Sequence, residues 1–199
     1  MKTTKFDNEK DWLNARLGKI TGTKLKDLIV KRGNGKKIGY YQLIADKLAI
    51  PGTTENAMER GKELEPEAIE KFVEETGKKV DASLVMWHRD DNEAIAYSPD
   101  GVIGKTEAVE AKCLSSARHI EALLTQQVPK DYQDQVLQAF IVNDKLKKLY
   151  LVFYDDRMTT KQFFYLTIER DQEKVDEFLE FERKILEEVD QVVSELSEL

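Results

Sequence analysis

Hydrophobic positions recur with a helical period over the first third of the chain and with a strand period after it. A helix is expected over about 8–17, and Thr21 or Thr23 can cap a second that reaches about residue 30, because a hydroxyl there can accept from free backbone N–H groups. Tyr40, Tyr41, Ile44 and Leu48 follow at helical spacing until Pro51-Gly52 ends the run. Leu64, Ala68, Ile69 and Phe72 form the apolar face of a longer helix over about 55–76, closed by Gly77. The segments 79–88, 94–98 and 108–113 then read as short strands separated by turn residues. Helices over about 115–124 and 131–143 come next, followed by strands at 149–154 and 162–168 and an amphipathic helix over about 171–196. Strands bracketed by helices predict one α/β domain, 1–199, with a mixed central β-sheet flanked by helices. Its parts are a helical region of about 1–77, a sheet core of about 78–170 and the C-terminal helix.

Composition narrows the chemistry. No apolar run approaches the roughly 18 residues of a membrane span, and the polar start lacks a signal-peptide pattern, so a cytoplasmic location is expected. The single cysteine, Cys113, excludes an internal disulfide, a four-cysteine zinc site and an iron–sulfur cluster held within one chain. With only His88 and His119 present, a histidine-rich metal site or a Ser–His–Asp triad finds little support. Carboxylates must carry any catalysis, and carboxylates suit Mg²⁺ or Mn²⁺.

The net charge of −7 is unevenly spread. Residues 169–199 hold 12 acidic and 4 basic side chains, whereas residues 1–62 hold 14 basic and 7 acidic ones. That asymmetry permits contact with a polyanion through the N-terminal part, including the basic loop of residues 31–37.

Three segments carry candidate chemistry. In Tyr97-Ser98-Pro99-Asp100-Gly101 an aspartate stands at a strand end before a tight turn. In Val109-Glu110-Ala111-Lys112-Cys113 the period of two puts Glu110 and Lys112 on one face of a strand. Gly61-Lys62-Glu63-Leu64-Glu65-Pro66-Glu67 is an acidic turn on the long helix. Phosphodiester hydrolysis needs an activated water, charge relief on the phosphate and a stabilised leaving oxygen. Two carboxylates holding divalent ions, with a lysine beside them, can supply all three. Taken singly, Asp-Gly is a common hairpin signal and Glu-x-Lys a common solvated pair. Together, with a ten-residue gap, they spell the PD-(D/E)xK nuclease signature as Pro99-Asp100 and Glu110-Ala111-Lys112.

The chain resembles the lambda-exonuclease and YqaJ recombinase family over roughly its whole length. The likeness rests on Trp12-Leu13-Asn14-Ala15-Arg16-Leu17-Gly18-Lys19-Ile20-Thr21, Gly61-Lys62-Glu63-Leu64-Glu65, Arg89-Asp90, Ser98-Pro99-Asp100-Gly101, Glu110-Ala111-Lys112-Cys113, Tyr132-Gln133-Asp134-Gln135 and Tyr154-Asp155-Asp156-Arg157-Met158. The resemblance implies a restriction-endonuclease-like α/β core of the PD-(D/E)xK type and an Mg²⁺-dependent deoxyribonuclease (Mn²⁺ substituting) with two ions per site. Asp100, Glu110 and the carbonyl of Ala111 would hold one ion, and Glu65 with Asp100 the second. Lys112 would help activate the water and Gln135 would orient it. Arg16, Thr23 and Ser98 would cradle the 5′-phosphate of the degraded strand. Asp90 matches a further acidic position, and Arg32 of the basic loop stands one place from the arginine that the resemblance leads one to expect.

The function so implied is 5′→3′ digestion of one strand of linear double-stranded DNA in a bacterial host cell, by a phage-type enzyme. It starts from 5′-phosphorylated ends and leaves 3′ overhangs for a single-strand annealing protein. A homotrimeric ring is implied with it. An endonuclease or Cas4-like nuclease on the same core is the nearest alternative, and a non-catalytic DNA-end-binding protein is the alternative from another class.

Overall fold

The computed structural model describes residues 1–29, 40, 43, 59–114, 116–156, 158 and 160–198, with the backbone alone at 59, 60, 116 and 117. The basic loop of residues 31–37, and most of the helix expected around 40–48, lie outside the described residues. The elements are β1 (Lys2–Lys5), α1 (Glu9–Ala15), α2 (Gly22–Leu25), α3 (Glu59–Thr76), β2 (Val85–His88), β3 (Ala96–Tyr97), β4 (Gly101–Ile103) and β5 (Glu107–Lys112), then α4 (Ser116–Thr125), α5 (Lys130–Val142), β6 (Lys148–Tyr154), β7 (Phe163–Glu169) and α6 (Gln172–Ser197).

The strands form two sheets: an antiparallel β1-β2-β3, and a mixed β4-β5-β6-β7 in which β5 and β6 run parallel. Parallel neighbours need a crossover, and α4 and α5 supply it. β6 is buried along almost its whole length, as a central strand covered on both faces should be. On one face Val109, Tyr150 and Val152 pack under Ala68 and Phe72 of α3. On the other, Ala108, Leu149, Leu151 and Phe153 join the larger core with Ala139 and Phe140 of α5 and Val175, Ile185 and Val189 of α6. β5 is thereby sorted by its period of two: Val109 and Ala111 face α3, while Ala108, Glu110 and Lys112 face α5.

Most expected elements appear within a few residues of their expected bounds. β1 was not expected: its sequence, Lys2-Thr3-Thr4-Lys5, is polar and wholly exposed, and its partner β2 makes it a strand. The helix after Thr21 is shorter than expected, and Thr21 makes no side-chain capping bond although it occupies the cap position. Gly101 opens β4 and does not belong to a hairpin turn. The link Ser98-Pro99-Asp100 carries the chain from β3 in one sheet to β4 in the other. A Cβ at Gly101 would stand 2.4 Å from Val80 Cγ1, so any larger residue there would have to displace Val80. Cys113 is half-buried just past β5. No helix among the described residues is long and apolar enough to cross a membrane.

Candidate active site

The register of β4 on β5 sets Gly101 opposite Val109, so the preceding Asp100 comes beside Glu110. The Asp100 N–H donates to the Val109 carbonyl at 3.1 Å, and the Ala111 N–H donates to Asp100 Oδ2 at 2.7 Å. The second bond fixes the aspartate side chain on the backbone of the strand that carries Glu110 and Lys112.

Glu110 is 2% exposed yet fully held. Lys112 Nζ donates to its Oε1 at 2.7 Å, and Gln135 Nε2 of α5 donates to the same oxygen. The hydroxyl of Tyr97, on β3, donates to Oε2. The Lys112 ammonium also sits 4.9 Å from the centre of the Tyr132 ring, one turn before Gln135 on α5.

Glu65 approaches from α3. Burial, then the negative charge of Glu110, pushes its carboxyl up to about 7, against the pull of Lys112 and Lys62. Asp100 is pushed well above the usual carboxylate range by burial and by the charges of Glu110 and Glu65, which outweigh Lys112 and the Ala111 N–H. Burial works against the charge on Lys112, but Glu110 and Asp100 prevail and hold its pKa above the ordinary lysine value. The cluster therefore gathers three carboxyl groups around one lysine in a place that water solvates poorly. A hard divalent cation suits such a set of oxygen donors. Among the described residues no three acidic, histidine or cysteine side chains already converge into a metal cage.

Arg16, just after α1, lies with its guanidinium carbon 4.5 Å from the Trp12 ring centre and donates to Thr23 Oγ1 at 3.2 Å. Burial lowers its pKa, while Glu110, Asp100 and Tyr97 raise it, which places Arg16 in the field of the same carboxylates. Ser98, two residues before Asp100, has a buried hydroxyl with no hydrogen-bond partner among the described residues. Asp90 stands apart: it is exposed and pairs with the Met1 ammonium. Its neighbour Arg89 is structural, donating to Asp91 (2.8 Å), to Asp144 (2.8 Å) and to the Ile141 carbonyl.

Sequence reasoning thus named Asp100, Glu110, Lys112, Gln135, Glu65 and Arg16, and the structure brings them together. It missed Tyr97. The available signal was its position three residues before Asp100 in an otherwise apolar strand, where a buried hydroxyl needs a partner.

A mixed sheet bearing an aspartate at the start of one strand and Glu-x-Lys on the next defines the fold of the lambda-exonuclease type of PD-(D/E)xK protein. Residues 11–146 match the YqaJ-like viral recombinase domain, and the chain belongs to that family. Its structure is similar to the crystal structure of an alkaline exonuclease (LHK-Exo) from Laribacter hongkongensis, with 29% identity, a TM-score of 0.84 and coverage of 96% of this chain and 97% of that one. The same protein in complex with dAMP matches equally, at 29% identity, TM-score 0.84 and the same 96% and 97% coverage. A phage-related exonuclease from Haemophilus somnus 129PT shares the fold at 15% identity and a TM-score of 0.68, over 89% of this chain and 96% of that one. A search of curated proteins finds no match.

Proposed function

We propose that this protein is a metal-dependent exonuclease that degrades one strand of linear double-stranded DNA from 5′-phosphorylated ends, in the 5′→3′ direction. The observation that carries the reading is the meeting of Lys112 and Gln135 on the Glu110 carboxylate, with Asp100 held on the same strand and Arg16 in the field of both acids. The likeness to LHK-Exo over nearly the whole of both chains supports it.

Mg²⁺ or Mn²⁺ fits the oxygen-rich donor set of Asp100, Glu110 and the Ala111 carbonyl, with Glu65 and Asp100 for a second ion. The cation would supply Lewis acidity, offsetting phosphate charge and making water more acidic. The chain's own groups do the rest. Lys112 stays protonated beside Glu110 and can orient a water by donation, since an ammonium has three donors and no acceptor. Gln135, held by its bond to Glu110, has a second amide hydrogen to point at the water or the scissile strand. Arg16 offers a planar pair of donors to a terminal phosphate, and Thr23 and Ser98 offer hydroxyls. The 3′ overhangs left behind would pass to a single-strand annealing protein in a bacterial cell infected by, or carrying, a phage.

A chain of 23.0 kDa offers too little surface to enclose a duplex about 20 Å wide, a width that follows from the groove depths of B-form DNA. Three copies in a ring, with basic N-terminal regions inward and acidic helices α6 outward or at the contacts, would keep the enzyme on its track. Light scattering should give a mass near three protomers. The activity test is a linear duplex with one phosphorylated and one hydroxyl 5′ end, beside a closed circle, in Mg²⁺ and in chelator. Loss of the phosphorylated strand alone, only with Mg²⁺, is the expected result. Cutting of the circle would point to an endonuclease, and no cutting at all to an end-binding protein.

A further inference from the structure

We propose that Tyr97 is a positioning residue for Glu110: its hydroxyl anchors the one carboxylate oxygen that Lys112 and Gln135 leave free. The inference rests on the reading of Glu110 as a metal-holding carboxylate. Lys112 and Gln135 both donate to Oε1, and Tyr97 donates to Oε2. With Oε1 alone held, the carboxylate could still swing about its terminal bond, because that torsion is soft. A donor on each oxygen stops the swing and aims the carboxylate beside Asp100.

The tyrosine can do this because it cannot move. Its side chain is 1% exposed, and it stands opposite Trp87 in the β2–β3 register with the ring centres 6.0 Å apart. Gly22 of α2 packs close to the ring as well. A Cβ there would come within 3.0 Å of Tyr97 Cε2 and 2.8 Å of Gln135 Cγ. The absent side chain at position 22 therefore makes the slot in which two of the three donors to Glu110, Tyr97 and Gln135, sit. Tyr97 belongs to the three-stranded sheet and Glu110 to the four-stranded one, so this bond also ties the two sheets together at the site.

A phenol suits the task better than a second cation. It fixes the oxygen without cancelling the negative charge that a metal would need.

The test is Tyr97→Phe in the full chain, measured first by Mn²⁺ binding without DNA. Removal of an outer-shell partner of this kind costs about 10- to 100-fold in metal affinity, and we expect a loss of about 10-fold here. The activity should be restored by raising Mn²⁺, while binding of duplex ends in chelator stays at the wild-type level. A merely structural tyrosine would lower stability without moving the metal requirement. Gly22→Ala keeps the hydroxyl but pushes the ring and Gln135 aside, and it should weaken Mn²⁺ binding by a smaller factor. Glu110→Gln is the control that separates the two layers. If Glu110→Gln loses Mn²⁺ and Tyr97→Phe binds it as the wild type does, the positioning role is refuted. If Glu110→Gln also binds as the wild type does, the metal reading itself fails and this inference falls with it.

Discussion

Glu110 and Glu182 are both buried carboxylates reached by a glutamine of α5, and the fold treats them differently. Glu110 takes bonds from Gln135, Lys112 and Tyr97. Glu182, on α6 and 0% exposed, takes one, from Gln138 at 3.2 Å, while Glu182 Oε1 and Gln138 Oε1 have no partner among the described residues. Burial pushes the Glu182 carboxyl up to about 8, and the Gln138 bond and the charge of Arg89 pull it back only in part. A buried carboxylate needs either several donors or a proton. The first solution fixes a carboxylate in one orientation, with a donor on each oxygen. The second preserves packing: Gln138 also donates to the Ile20 carbonyl at 3.1 Å, joining α5 to the segment that leads into α2.

The sharpest way to break the comparison is to remove charge at the well-held end. Asp100→Asn and Glu110→Gln keep shape but abolish the negative charge. We expect nuclease activity to fall by about 10²- to 10³-fold, the usual scale for losing central catalytic electrostatics. Folding by circular dichroism and binding of duplex ends should survive. Near-normal cleavage by either variant in Mg²⁺ would remove Glu110 from the functional side of the comparison.

Glu182→Gln probes the other end, and its sign follows from linkage. The folded-state pKa of about 8 lies above the ordinary glutamate value of 4.5, so the native state binds the proton more tightly than the unfolded chain. The stability contributed by protonated Glu182 is complete below about pH 4.5, declines above it and is lost as pH rises through about 8. Near pH 7 the loss relative to pH 4 should be about 3 kcal/mol. Glutamine cannot ionise, so the variant should lack this part of the pH dependence and be the more stable protein above neutrality. Urea titrations at pH 5, 7 and 9 decide it, and parallel curves for the two proteins would show that Glu182 is not a neutral acid.

A smaller effect is expected at the edge of the site. Arg16→Ala leaves the carboxylates in place and removes the guanidinium that bonds Thr23. The preference for phosphorylated over hydroxyl 5′ ends should drop by about tenfold, the range of a charge-assisted hydrogen bond. If the full preference remained, the phosphate pocket would lie elsewhere.

Some of this was legible before any folding. Strand periodicity alone puts Glu110 and Lys112 on one face, because successive side chains of a strand must alternate. The continuous apolar run of β6 marks a central strand, and the spacing of Val175, Leu179, Leu186 and Val189 marks the buried stripe of α6. These are local consequences of backbone geometry, readable wherever the residues stand together in the chain. β1 was illegible for the opposite reason: four polar residues have no strand signal of their own, and pairing with β2 decides their conformation.

What only the tertiary structure decided is how each buried charge is satisfied. Tyr97 and Gln135 reach the Glu110 oxygens, and Glu65 and Arg16 its field, from four separate elements or their ends, and nothing in the spacing of the sequence says which does which. Nor does helical spacing distinguish Gln135 from Gln138, two glutamines one turn apart; only the family resemblance singled out Gln135. One donates to a carboxylate held by three donors, and the other to a carboxylate that must keep its proton. The sequence by itself determined the strand face, the central strand and the acidic and basic residue types available for chemistry. The partners of those residues, and so their protonation states, were left to packing. Hydrogen bonding and desolvation depend on atoms a few ångströms away in space, whatever their distance along the chain.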